Sequence, residues 1–275
     1  MNQYILSCSL VIYKQNPEVL KMAIDSFLNT NLAVKLILID NSPTDELRNI
    51  KTDDRVEYIF NPSNPGFCGG HNLGLGKIID QSEYHLVLNP DIYFETGVLE
   101  NIIEFMAGNK NVGVLMPKVL YPDNSLQYVA KLLPTPVDFI VRRLIPNSAF
   151  KRRIDNKLEL KASGYNQVMD VPFLSGCFLL FRSEAIRIVK GFDENIFMYT
   201  EDIDICRRVI KAGYRSVFYP KVSVYHDHEK KSFSNFKTFL VYLKSAIYYF
   251  NKWGWIWDEE RIRINRQTLS QIKSR

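Results

Sequence analysis

Runs of apolar residues without alternation, each stopped by turn-forming residues and followed by apolar positions at helical spacing, give this chain a β–α–β rhythm. Residues 6–13 form the first run, and 17–29 follow with Val19, Leu20, Ala23, Ile24, Phe27 and Leu28 on one helical face. Residues 35–39 make a second buried strand, broken by Asp40-Asn41-Ser42-Pro43. Val56–Phe60 is a third, after which the glycine-rich stretch 61–76 leads into a helix predicted over 70–81. Strands of this kind suit a sheet covered by helices on both faces, and the crossover rule makes the opening strands parallel.

The run Leu86-Val87-Leu88 stops at Asn89-Pro90-Asp91. Pro90 has no N–H and holds Asn89 extended, so the chain turns and Asp91 projects from the carboxyl edge of the sheet, where open α/β sheets bind ligands. A helix over 96–107 capped by Thr96 and a strand over 112–116 follow. Residues 121–161, with four prolines and the basic residues Arg142, Arg143, Lys151, Arg152 and Arg153, read as an insertion: a flap over substrate or a long solvated loop. Order returns at 171–181, where Ser175-Gly176 punctuates an apolar strand. Thr200 then caps a helix whose first turn holds Glu201, Asp202 and Asp204. Two more β-like runs, 214–219 and 222–225, end in His226-Asp227-His228-Glu229-Lys230-Lys231.

Composition narrows the class. The 275 residues are 46% hydrophobic and 24% charged, an ordinary globular balance that excludes a disordered chain. A net charge of +5 fits phosphorylated substrates or an anionic surface and does not call for nucleic acid. Cys8, Cys68, Cys177 and Cys206 lack paired spacing and read as reduced cysteines of a cytosolic protein. The N-terminus carries no basic region or cleavage site, and no run of about 18 apolar residues occurs, so a soluble or peripheral protein is expected.

Several residues are candidates for chemistry, each beside a plainer alternative. Asp91 suits Mg²⁺ or Mn²⁺, which share their shell with phosphate oxygens, but Asn-Pro-Asp is also an ordinary turn. Asp40 is placed to contact a base or ribose, or to close an Asx turn. The glycines from Gly66 to Gly76 do not match a dinucleotide fingerprint and instead allow close backbone approach to a ligand, with a helix N-terminus facing phosphate. Three carboxylates at one helix start exceed what a cap needs, and one of them can deprotonate a hydroxyl. His226 suits a metal and Lys230 a diphosphate, unless the segment is a solvated polar turn.

Taken together, Asp40, the Gly66-to-Gly74 loop, Asn89-Pro90-Asp91, Ser175-Gly176, Glu201-Asp202-Ile203-Asp204 and His226 resemble the family-2 inverting glycosyltransferases of the GT-A fold, over roughly residues 7–257. The segments Pro136-Val137-Asp138-Phe139-Ile140, Tyr199 to Cys206 and Lys244 to Phe250 are most similar to bacterial rhamnosyltransferases that use dTDP-L-rhamnose to build O-antigen and related polysaccharides on a lipid carrier. The resemblance implies an α/β GT-A fold: a Rossmann-like nucleotide-binding half, a mixed central sheet and C-terminal helices. It implies that Tyr13 and Asp40 hold base and ribose, that Asn72 lines the donor pocket with Asn89, Asp91 and Lys230, and that Asp91 and His226 take a divalent metal. Asp202 matches the catalytic base, with Ser175, Gly176 and Glu201 on the acceptor side. Asn89 stands where the usual Asp-x-Asp pattern has its first aspartate, which weakens the hold on a metal.

The expected organisation is a glycosyltransferase domain over 1–232, with the basic insertion at about 121–161, and a helical extension over 233–275. In that extension Phe236, Phe239, Leu240, Leu243, Ile247 and Phe250 recur at helical spacing among Lys237, Lys244 and Lys252, with Trp253, Trp255 and Trp257 beyond. The stripe packs on the domain or lies in the headgroup layer of the inner membrane's cytoplasmic face, close to a lipid-linked acceptor. Two other classes stay open: a sugar nucleotidyltransferase, which would carry a glycine-rich basic loop where this chain has Tyr13-Lys14-Gln15-Asn16-Pro17, and a nucleotide-sugar-binding relative without catalysis.

Overall fold

A computed structural model describes residues 3–50, 53–145, 148–227 and 236–273. In chain order the elements are β1 (Tyr4–Ile12), α1 (Pro17–Leu28), β2 (Val34–Asp40), β3 (Val56–Phe60), α2 (Gly66–Ile78), β4 (Ser82–Leu88) and β5 (Ile92–Tyr93). There follow α3 (Val98–Gly108), β6 (Val112–Leu120), β7 (Ala130–Lys131), α4 (Pro136–Leu144), α5 (Ala149–Leu158), β8 (Met169–Asp170), β9 (Phe173–Leu174) and β10 (Phe178–Arg182). The chain closes with α6 (Ser183–Ile188), α7 (Glu201–Lys211), β11 (Arg215–His226), α8 (Phe236–Trp253) and α9 (Glu259–Lys273).

The central sheet runs β3-β2-β1-β4-β10-β6-β11-β5, with β8 on β11, while β7 and β9 form a separate ribbon. Strands β1 to β4 are parallel, and β10 is antiparallel to both of its neighbours, which makes the sheet mixed. Leu86, Val87 and Leu88 are all fully buried, as a strand covered on both faces requires. Register sets Ile12 beside Asp40 and Leu10 beside Leu88, so the β1, β2 and β4 ends share one edge. A second apolar cluster of Leu133, Ile203, Tyr249, Phe250 and Ile264 ties the 121–161 segment, α7, α8 and α9 together. Buried ion pairs reinforce that junction: Arg207 makes a bidentate contact to Asp258 at 2.5 and 2.7 Å. All four cysteines are free and buried.

Several expected boundaries move, each for a local reason. Helix α2 begins at Gly66 and not Gly70, because Gly66 takes a left-handed turn (φ 77°) in which a Cβ would sit 2.3 Å from the Phe197 carbonyl oxygen. Thr96 does not cap α3: the helix starts after left-handed Gly97, and the Thr96 hydroxyl accepts from the Asn29 amide at 2.6 Å. Thr200 does not cap α7 either, since its φ is 67° and its hydroxyl donates to the Ser245 carbonyl. Residues 214–219 and 222–225 join into one strand, β11, with a register shift between Tyr219 and Ser223. The described residues of the 121–161 segment include two helices. Thr135 and Asp138 form a complete capping box at the start of α4, and Ser148 caps α5.

Candidate active site

The site residues converge because backbone contacts join the loops at one edge. The Asn89 N–H donates to the Cys177 carbonyl at 2.9 Å, and the Asp227 N–H to the Asp91 carbonyl at 2.9 Å. Pairing of His226 with Ile92 then sets the imidazole beside Asp91, whose Oδ1 lies 3.3 Å from Nε2. On the other side, the Gly176 N–H donates to Asp202 Oδ2 at 3.1 Å. A continuous line thus runs from the Asp91–His226 pair, through Asn89 and Gly176-Cys177, to Asp202.

Asp91 and His226 fit a divalent ion. Asp91 Oδ1 is buried and meets no polar group but the His226 imidazole among the described residues. His226 Nδ1 lies 3.0 Å from Gln127 Oε1 and the Gln127 amide donates to the His226 carbonyl, a clamp that puts the proton on Nδ1 and turns Nε2 toward Asp91. Oxygen and nitrogen ligands about 2.1 Å from one ion sit roughly 3 Å apart when adjacent, close to the observed separation. Burial works against charge on this imidazole, but Cys177 and Asp91 outweigh it and hold its pKa at about 10, so without an ion His226 is protonated toward Asp91 and a metal would have to displace that proton. Among the described residues no third His, Cys, Asp or Glu completes a metal cluster, so phosphate oxygens and water would fill the remaining positions.

The acidic turn of α7 separates into three roles. Asp204 is fully buried and pairs with Arg208 at 2.7 Å, Lys252 at 2.8 Å and the Trp253 indole N–H at 2.8 Å, which makes it a structural anchor. Glu201 is buried with no partner at Oε2, and desolvation together with the Asp202 charge drives its pKa far up. Asp202 is raised too, first by desolvation, but the Gly176 and Ile203 N–H groups stabilise its carboxylate. Burial thus pushes both adjacent acids up, Glu201 the further, while the backbone N–H groups favour charge on Asp202.

Asp202 opens into a cavity of about 400 Å³, walled by Lys131, Phe139, Arg142, Phe173, Tyr199 and Tyr242 among others. None of these six walls was singled out by sequence as a ligand contact. The Thr135-x-x-Asp138 capping box was a legible sign that the segment folds, but the approach of β7 to β9 and of α4 to α8 has no local signature.

The remaining expected contacts divide. Tyr13 is half exposed beside Lys14, whose N–H donates to Ser42 Oγ, so the 13–14 turn sits against the 40–42 turn. Asp40 is fully buried: Oδ1 accepts from the Ser42 N–H in an Asx turn and Oδ2 from the Tyr58 hydroxyl at 2.6 Å, so a base contact there requires Tyr58 to give way. Asn72 is engaged within the fold. Its amide clamps the Phe192 N–H and carbonyl at 2.8 and 2.9 Å and reaches Glu194, tying α2 to the 191–194 turn. The α2 N-terminus is not open to phosphate as expected, since the Phe67 N–H donates to the Phe197 carbonyl. Gly176 borders Asp202 and Glu201, while Lys230 lies outside the described residues.

Residues 8–188 match the sequence pattern described as glycosyl transferase family 2, and 154–240 match a related pattern, glycosyltransferase like family 2. The chain is 25% identical over 244 residues to an N-acetylglucosaminyl-diphospho-decaprenol L-rhamnosyltransferase of Mycobacterium tuberculosis, covering 81% of this chain and 76% of that protein. It is 30% identical over 192 residues to rhamnosyltransferase WbbL of Escherichia coli, covering 67% and 69%. Among solved structures it resembles GalNAc-T7 with UDP, GalNAc and Mn²⁺ (TM-score 0.65, 13% identity, 85% of this chain and 45% of that one). It also resembles a mannosyltransferase of Pyrobaculum calidifontis with GDP-Man and Mn²⁺ (TM-score 0.57, 14% identity, 84% and 59%). These likenesses establish a GT-A fold.

Proposed function

The chain belongs to glycosyl transferase family 2, and on that premise we propose that it moves L-rhamnose from dTDP-L-rhamnose, with inversion, onto a hydroxyl of a lipid-linked glycan in bacterial surface polysaccharide synthesis. The observation that carries this reading is the unbroken line from the Asp91–His226 pair to Asp202. It offers a hold for the leaving diphosphate and a base on the same edge. Rhamnosyltransferases among the relatives support the donor, and the decaprenol-linked glycan in one relative's name supports the acceptor class.

The chemistry follows from which groups are charged. Asp202 Oδ accepts the proton of the acceptor hydroxyl as its oxygen forms a bond to the anomeric carbon. The bond from that carbon to the phosphate oxygen breaks on the opposite face, and dTDP departs with the electron pair. Asp91 and His226 would hold Mg²⁺ or Mn²⁺, which when bound neutralises charge on the departing diphosphate. The backbone N–H groups favour Asp202 as the ionised acid of its pair with Glu201, and the walls of the cavity exclude water that would otherwise hydrolyse the donor.

No helix among the described residues is long and apolar enough to cross a membrane. Peripheral attachment at the cytoplasmic face would give access to the lipid-linked acceptor. The test is dTDP release from dTDP-L-rhamnose with and without a glycan acceptor, with the new linkage assigned by NMR. Acceptor-dependent release with an inverted anomeric centre is expected. Release that ignores acceptor, a retained configuration, or faster turnover of another nucleotide sugar overturns the reading.

A further inference from the structure

The amphipathic helix α8 is turned in an unexpected way. Its buried positions are Ser245, Ala246, Tyr249 and Phe250, whereas Phe236, Leu240, Leu243 and Ile247 face outward, each at least 40% exposed. Val137 and Ile140 of α4 are likewise more than half exposed. Between the two helices lies a groove of about 160 Å³, lined by Phe139, Ile140, Tyr242, Leu243, Ile247 and Trp255 among others, all apolar or aromatic. Exposed apolar area of this extent on a globular chain marks a binding surface.

What covers it is indicated by its neighbour. Phe139 and Tyr242, with ring centroids 5.5 Å apart and nearly parallel, line both this groove and the cavity that holds Asp202. The cavity with its carboxylate and a lysine thus adjoins the aliphatic groove across this pair of rings. That lysine is Lys131, half-buried in the cavity wall, whose ammonium forms no ion pair among the described residues, in contrast to Arg142, which is held by Asp155 and Glu159. Burial and the Arg142 charge lower the Lys131 pKa more than the Glu159 and Asp202 carboxylates raise it, a penalty that an incoming anion would relieve. Helix α8 itself carries three lysines and no acidic residue over its 18 positions.

We propose that cavity and groove form one track for an amphiphilic acceptor, with its glycan at Asp202, its phosphate linkage at Lys131 and its lipid chain lying between α4 and α8. The assignment rests on the glycosyltransfer reading for the glycan end alone. The occupant of the groove is a single lipid chain joined to phosphate, and a bare bilayer surface is the competing occupant.

The experiment measures binding and needs no turnover. Farnesyl diphosphate and inorganic diphosphate are titrated, in the presence of chelator so that the Asp91–His226 edge does not capture them through a metal, with tryptophan fluorescence as the readout because Trp255 borders the groove. Farnesyl diphosphate is expected to bind at least tenfold tighter than inorganic diphosphate. The double variant Leu243→Glu/Ile247→Glu, placed at exposed positions and checked for an unchanged melting temperature, should lose at least tenfold for farnesyl diphosphate and nothing for inorganic diphosphate. Lys131→Gln should weaken both. Equal affinity for the two ligands, or a groove variant that loses adsorption to plain phosphatidylcholine vesicles while binding farnesyl diphosphate normally, overturns the track. Nucleotide-sugar turnover in the same preparation separates the two readings: intact amphiphile binding with no glycosyl transfer removes the reaction and leaves the track standing.

Discussion

Around β1 and β4, most buried polar side chains find partners within the fold, the Tyr84 hydroxyl being an exception. Ser7 Oγ lies 2.7 Å from Ser82 Oγ and 2.8 Å from His85 Nδ1, and Ser9 Oγ bridges His71 and His85 at 2.7 and 2.9 Å. Asp40 has both oxygens occupied. Across the sheet, beside β9 and α7, Glu201 Oε2 is buried without a hydrogen bond, Asp91 Oδ1 meets only the His226 imidazole, and Lys131 feels Glu159 and Asp202 without a direct ion pair among the described residues. An unsatisfied buried polar atom costs about 1–3 kcal/mol, so such groups persist where a ligand completes them. The parallel half of the sheet is a closed scaffold, and the half bounded by α4, α7 and α8 is held open for chemistry.

The largest effect should come from the open half. Asp202→Asn is expected to lower transfer by at least ~10²-fold while donor affinity, followed by calorimetry, stays within about twofold. Glu201→Gln, which copies the protonated acid, should cost far less, and a reversed ranking would move the base to Glu201.

On the scaffold side the histidine network makes stability depend on acid. Burial drops the His85 pKa to about 3 and pushes His71 well down, while the unfolded chain takes up these protons near the ordinary histidine value of about 6.5. Stability is therefore retained above that value and lost as pH falls below it, by about 2–3 kcal/mol for the pair between pH 7.5 and 5.5. Urea unfolding in a Glu201→Gln/His226→Gln background, where the opposing titrations of those two groups are absent, reads this slope; a flat profile would mean that the histidines are not held neutral.

Packing gives a smaller contrast within one helix. Gly74 meets Ser9 and Ile39, where a Cβ would lie 2.8 and 3.0 Å away, whereas nothing lies within 4 Å of Gly76. Gly74→Val should destabilise by about 1–3 kcal/mol, and Gly76→Ala should be neutral or stabilising by up to about 1 kcal/mol. Equal melting temperatures for the two variants would contradict this packing.

Asp91→Ala is expected to weaken donor affinity about tenfold in the presence of Mn²⁺, the order of effect seen when a metal's surroundings are damaged, and to abolish the difference between metal and chelator. Full activity of the unmodified chain in chelator would leave the leaving group to basic residues alone.

The strand-helix rhythm, the parallel opening of the sheet and the stop at Asn89-Pro90-Asp91 were readable directly, because burial on both faces and the geometry of proline act over a few neighbouring residues. So was the presence of a spare acid at the start of α7. Which acid is spare was a tertiary decision: Asp204 is neutralised by Lys252 and Trp253, about fifty residues away, while Asp202 meets only backbone N–H groups. The early start of α2 depended likewise on Phe197 approaching Gly66 from more than a hundred residues away. Periodicity also showed that α8 has an apolar stripe but not which way it faces. That was set by Tyr249 and Phe250 packing with Leu133, Ile203 and Ile264, which left Leu243 and Ile247 outside. A local pattern records which residues share a face; only contacts between distant segments determine what that face meets.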